Sequence, residues 1–171
     1  MNRRTFLIPA GLSSAGVALG SLVYRVGGIW WDQSPAGQYQ RLSEQEAKIA
    51  GAIADALFPG DRRGMPNGRE VGVVEAFDEY LGAIDEGTAN LLKLLLHGID
   101  EAAVPKGFSM RRFHRRPRGE RIEILKGWEN SRLEARSQAF FGLKLVFAMG
   151  YCESPEVIRA AGIDYECGGW Q

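Results

Sequence analysis

Leu42-Ser43-Glu44-Gln45-Glu46-Ala47-Lys48-Ile49-Ala50-Gly51-Ala52-Ile53-Ala54-Asp55-Ala56-Leu57-Phe58-Pro59-Gly60-Asp61 is the stretch on which the fold turns. Ser43 and Glu46 stand at the spacing of a capping box, in which the hydroxyl accepts the amide of the glutamate and the carboxylate accepts the amide of the serine, so a helix starts there. Ala50, Ile53, Ala54 and Leu57 recur at three- and four-residue spacing along one face, and Pro59-Gly60-Asp61 stops the helix. The residues from Arg62 to Glu70, with Gly64, Pro66 and Gly68, form a surface loop.

Downstream the helical period continues. Val74, Phe77, Leu81 and Ile84 make the apolar stripe of a second helix, and Leu91, Leu92, Leu95, Leu96 and Ile99 a broader one on a third, which Pro105-Lys106-Gly107 ends. A helix apolar over so wide an arc needs several neighbours to cover it, so the third helix is expected at the centre of the fold. Pro117 is expected in the first turn of a fourth helix with Ile122, Leu125 and Trp128 facing inward. Ala139, Phe140, Leu143, Val146 and Phe147 mark a fifth that Gly150 closes. Ser154-Pro155 followed by Gly162 frames a short sixth. No stretch alternates with period two, so the fold class is all-α, a compact bundle of five or six helices behind an N-terminal signal or anchor helix.

The chain has 171 residues, with 21 Lys plus Arg balanced by 21 Asp plus Glu, so net charge offers no case for nucleic acid. It divides into residues 1–31, a signal or anchor segment; residues 42–165, a helical domain; and residues 166–171, a C-terminal tail. A domain of about 130 residues buries enough surface for one core. The segment Asn2-Arg3-Arg4-Thr5-Phe6-Leu7 resembles the twin-arginine export motif, with Arg3, Arg4, Phe6 and Leu7 as its signature. An uncharged stretch from Phe6 to Val23 follows, long enough to cross a bilayer but diluted by Pro9, Gly11, Gly16 and Gly20. Two fates fit it: cleavage after Ala18-Leu19-Gly20, or retention as an anchor seated by Arg25, Trp30 and Trp31 at the membrane interface. Because the twin-arginine translocase carries folded proteins, the domain is expected at the periplasmic face of the membrane or in the periplasm.

The chain lacks a phosphate-binding glycine loop, a nucleophile elbow, paired zinc-ligand histidines and a haem-attachment motif. His97 falls on the packed repeat of the third helix, and His114 is expected in a solvated loop. Asp78-Glu79 and Asp100-Glu101 are adjacent and point to different sides of their helices. No residue is assigned a catalytic, cofactor-binding or metal-binding role. Arg111, Arg112, Arg115, Arg116, Arg118 and Arg121 gather around His114 and Pro117. Arg111, Arg112, Arg115, Arg116 and Arg118 can clamp an acidic partner, since guanidinium groups pair bidentately with carboxylates; the alternative is a solvated loop that keeps the domain soluble. Cys152 and Cys167 are the only cysteines, and in an oxidising compartment they are expected in a disulfide, with each other or with another subunit.

From Leu42 to about Ile163 the chain resembles the small subunits of membrane-associated flavin dehydrogenases, the gluconate 2-dehydrogenase subunit 3 family. The residues that carry the resemblance are Leu42-Ser43-x-x-Glu46, the helix end Ala52-Ile53-Ala54-Asp55-Ala56-Leu57-Phe58-Pro59, the glycine-rich loop after it, the helix around Phe77 to Leu81, and Met149-Gly150-Tyr151-Cys152-x-Ser154-Pro155-Glu156-Val157. Gly162-Ile163-Asp164-Tyr165 replaces the family's last element, and Cys167-Gly168-Gly169-Trp170 has no counterpart in it. The resemblance implies a heteromeric oxidoreductase. Its large catalytic subunit, of the glucose-methanol-choline type, holds FAD, and a multihaem cytochrome c subunit commonly takes the electrons. This chain would bind no cofactor, support the catalytic subunit and lend its export signal. The reading set against it is a stand-alone exported carrier, with Trp128, Phe140, Phe141 and Phe147 lining a pocket for an apolar ligand.

Overall fold

A computed structural model of the chain describes residues 34–60, 64–102 and 111–163. The chain divides into a unit of residues 1–34 and a unit of residues 35–171, and the architecture that follows is that of the second. The export motif, the Pro105-Lys106-Gly107 stop and the tail with Cys167 lie outside the described residues. The fold is all-α. Among the described residues six α-helices form a compact bundle and no strand is present: α1 (Glu44–Leu57), α2 (Val73–Ala83), α3 (Glu86–Ala102), α4 (Arg118–Glu129), α5 (Glu134–Cys152) and α6 (Pro155–Ala160). One turn of 3-10 helix, Phe113–Arg115, precedes α4.

The capping box at the start of α1 is formed on both sides, with the Ser43 amide donating to Glu46 Oε2 at 2.8 Å and the Glu46 amide to Ser43 Oγ at 3.3 Å. This helix, rather than the leucine-rich α3, lies at the centre. Ile49, Ala50, Gly51, Ala52, Ile53, Ala54 and Ala56 are all buried, and α2, α3, α4 and the 3-10 turn pack around them. The physical reason is size. Alanine and glycine let neighbouring helices approach from every side, whereas an arc of leucines is wide because its side chains are large. On α3 only Leu96 and Ile99 of the expected stripe are buried; Leu92 and Leu95 are half-buried and Leu91 is exposed.

Three helix boundaries also differ from expectation. Pro117 is the N-cap of α4 and does not enter its first turn. Ala139 is exposed, and the inward face of α5 is Phe140, Leu143, Phe147 and Tyr151. Gly150 does not close α5, which runs on to Cys152. It marks a helix crossing instead: a Cβ at Gly150 would stand 2.8 Å from Ala76 Cβ on α2. Nearby, Phe77 and Phe147 meet at 4.9 Å between ring centroids, tilted by 41°. Two such rings, fully buried, contribute about 1.5–3 kcal/mol each by leaving water.

Gly150→Val is therefore expected to lower the unfolding free energy by about 2 kcal/mol, through overpacking at the α2–α5 crossing. Gly142→Ala on the same helix, where a Cβ meets nothing within 4 Å, is expected to raise it by about 0.5–1 kcal/mol. Urea denaturation followed by circular dichroism measures both.

Candidate functional site

The polar groups of the domain converge on four carboxylates, each shielded from water by the helices it joins. Asp78 on α2 accepts three consecutive backbone amides from the chain leading into α1, those of Gln40 at 2.7 Å, Arg41 at 2.9 Å and Leu42 at 2.8 Å. Glu46, besides closing its own cap, meets Lys93 Nζ at 3.1 Å and His97 Nε2 at 3.3 Å, which ties α1 to α3. Burial pushes the Glu46 pKa up, but the hydrogen bonds from His97 and the Ser43 amide and the charge of Lys93 outweigh it and hold it below its ordinary value of 4.5. Asp100 on α3 accepts both the backbone amide of His114, at 3.0 Å, and its Nδ1–H, at 2.8 Å. His114 is thus not the solvated loop residue expected. The ring is enclosed, and Arg115 Nε donates to its Nε2 at 3.2 Å, which leaves Nδ1 as the protonated nitrogen.

Asp55 near the end of α1 holds α4 and the following loop at once. Arg118 Nη2 lies 2.8 Å from its Oδ1, Arg121 Nη2 2.7 Å from its Oδ2, and Asn67 Nδ2 donates to Oδ1 at 2.8 Å. Burial pushes its pKa up, and the bonds from Asn67 and Arg118 with the charge of Arg121 more than reverse this, so it too stays below its ordinary value.

Most of the arginine cluster is engaged within the fold. Arg116 is buried, with Nε on the Arg111 carbonyl at 3.0 Å and Nη1 on Glu120 at 2.9 Å. Arg112 pairs with Glu101 at 3.1 Å, and Arg118 and Arg121 share Asp55. Of the five residues expected to clamp a partner, Arg111 and Arg115 are the most clearly presented to solvent, with Arg112 and Arg118 partly so. Charge counting along the sequence could not reveal this, because the acids that answer these arginines lie on α1 and α3.

A second junction unites residues from the two ends of the domain. Phe58, just after α1, stacks on Tyr151 of α5 with ring centroids 4.2 Å apart and planes within 5°. The Tyr151 hydroxyl donates to the Pro66 carbonyl at 2.8 Å, and burial, with a smaller push from Cys152, raises its pKa so that it remains a donor. Gly60, at φ 78°, and Gly68 let the intervening loop fold tightly on itself: a Cβ on Gly60 would lie 2.5 Å from the Asn67 amide nitrogen, and one on Gly68 would lie 2.9 Å from the Ala54 carbonyl oxygen. The chain matches no family profile, no curated protein and no solved structure.

The chemistry this arrangement allows is limited. Among the described residues no group of three or more His, Cys, Asp and Glu could hold a metal ion. The Asp100–His114 pair has the form of an oriented general base, yet the nitrogen that would take a proton already accepts from Arg115. Trp128, Phe140 and Phe147 are buried in the core while Phe141 is exposed, so the four do not line one pocket. An open cleft of about 360 Å³ lies between the loop and α6, lined by Gly64, Pro66, Glu156, Arg159 and Ala160, and its small and charged walls do not suit an apolar ligand. Cys152 is exposed at the end of α5 with a free thiol, so the expected disulfide with Cys167 is not formed.

Two tests follow from this network. Glu46 contributes stability that is complete above its ordinary value and is lost as the pH falls through its depressed one. Urea midpoints of the wild type and Glu46→Gln, separate near neutrality, are expected to converge below pH 4.5. Arg116→Ala is expected to cost about 1–3 kcal/mol, because it strips the partner from the Arg111 carbonyl and empties a buried site. Arg115→Ala on the exposed side is expected to stay within about 0.5 kcal/mol in the same thermal melts.

Proposed function

We propose that this chain is the non-catalytic small subunit of a periplasmic FAD-dependent dehydrogenase of the glucose-methanol-choline type. It binds and stabilises the large catalytic subunit and supplies the twin-arginine signal that exports both. The observation that carries the reading is where the residues behind the family resemblance sit. Phe58-Pro59, the glycine-rich loop, Ala76 beside Phe77, and Gly150-Tyr151 are scattered over the sequence, and they meet through the Phe58–Tyr151 stack, the Tyr151–Pro66 hydrogen bond and the Gly150–Ala76 contact. A set of short motifs that packs into one junction behaves as a unit under selection for a shared structure, which strengthens a resemblance resting on helix punctuation alone.

The four carboxylates support the same role, since they are spent on holding helices together. FAD belongs to the partner, and a multihaem cytochrome c subunit is the expected electron acceptor. Among the described residues no helix is long and apolar enough to cross a membrane, so any anchoring falls to residues 1–31 or to a partner. Arg111 and Arg115, with the exposed portions of Arg112 and Arg118, are the cationic groups offered to an acidic partner surface.

The test is recovery of the tagged full-length chain from solubilised membranes, with mass spectrometry and a flavin absorbance scan. A large FAD-binding protein is expected to co-purify, and Arg3→Lys with Arg4→Lys is expected to keep both proteins out of the periplasm. A chain recovered alone and without flavin would overturn the reading.

A further inference from the structure

We infer that a second copy of this chain packs on α5, in an antiparallel helix pair centred on Leu145. Phe141, Leu145 and Met149 follow one another at four-residue spacing and are 65%, 53% and 46% exposed. The opposite side of α5 buries Phe140, Leu143 and Phe147 in the core. The helix is therefore apolar on two sides, and the domain uses only one of them.

The shape of the outer side suits a copy of itself. A row at four-residue spacing is a ridge that seats in the groove beside an identical row on another helix. The neighbouring row here is Gln138, Gly142, Val146 and Gly150, in which two glycines leave the groove shallow, and the space around Gly142 is open to 4 Å. With Leu145 on the two-fold axis, Phe141 comes level with Met149 of the second copy, and Gln138 with its Cys152. Large apolar side chains then meet each other at the centre and uncharged ones meet at the ends. Lys144, on the flank, is already held by Glu129 at 2.6 Å and stays clear of the seam.

Area also favours self-pairing. Three side chains exposed to this degree offer on the order of 300 Å² of apolar surface per copy, the lower end for a functional patch. That is well short of the roughly 800 Å² per side of a standard interface with a different protein. Two copies face to face double it and, with the rim residues, come near the roughly 1,000 Å² at which a weak, concentration-dependent dimer begins. The inference is independent of the export role, which is tested by what happens to the flavoprotein.

Sedimentation velocity of the full-length chain in a mild non-ionic detergent is expected to show monomer passing to dimer as concentration rises. Leu145→Glu is expected to hold the chain monomeric with its helical circular dichroism unchanged, whereas Leu91→Glu, an exposed leucine on α3, still dimerises. Register is read by cross-linking in a Cys167→Ser chain with a short bismaleimide. The native Cys152 alone gives no covalent dimer, and adding Gln138→Cys gives one. A chain monomeric at every concentration, or a dimer that survives Leu145→Glu, overturns the inference. So does a monomeric chain in which Leu145→Glu abolishes flotation with phospholipid vesicles or co-purification of a larger protein, since lipid or that protein then covers the row.

Discussion

Glu46 and Asp55 sit on a helix enclosed on all sides, where a carboxylate must be paired or it will not stay ionised. Much of the architecture can be understood as the answer to that requirement. Glu46 draws Lys93 and His97, which fixes α3 against α1. Asp55 draws Arg118, Arg121 and Asn67, which fixes both α4 and the loop after α1. The central helix is built of alanine, glycine and isoleucine so that its neighbours can come close, and that closeness in turn removes the water that would otherwise solvate its acids.

The same logic extends one layer outward. Asp78 and Asp100 each satisfy backbone amides of segments without helical bonds of their own, the lead-in at Gln40 to Leu42 and the turn at His114. Such amides are costly to leave unpaired in a closed environment. A short turn carrying four arginines can therefore lie against the bundle, with Arg116 inside it and Arg111 and Arg115 outside. Cationic surface and structural cation come from one stretch of chain, and only their partners distinguish them.

The junction at Phe58, Pro66 and Tyr151 links the two ends of the domain, so the packing of α5 depends on a loop some 85 positions earlier in the chain. That dependence suits a protein that acts as a surface for others. Its own interior is closed by reciprocal contacts, and what remains exposed in an ordered way is the arginine turn and the outer row of α5.

Local sequence determined much here: the all-α class, the existence and order of the six helices, the capping box at Ser43 and Glu46, and the inward positions Phe77, Leu81, Leu125, Trp128, Leu143 and Phe147. These depend on interactions within a turn or two of chain and on a period that repeats, so they can be read without knowing any neighbour. Tertiary structure alone decided that α1 is central, that Gly150 is a crossing point rather than a stop, that His114 is enclosed, and that most of the arginine cluster faces inward to Asp55, Glu101 and Glu120. Each of those depends on which distant residue arrives opposite. A glycine that ends a helix and one that admits another helix look alike in sequence, as do an arginine awaiting a partner and one whose partner lies 66 positions away. Only the packing of the bundle separates them.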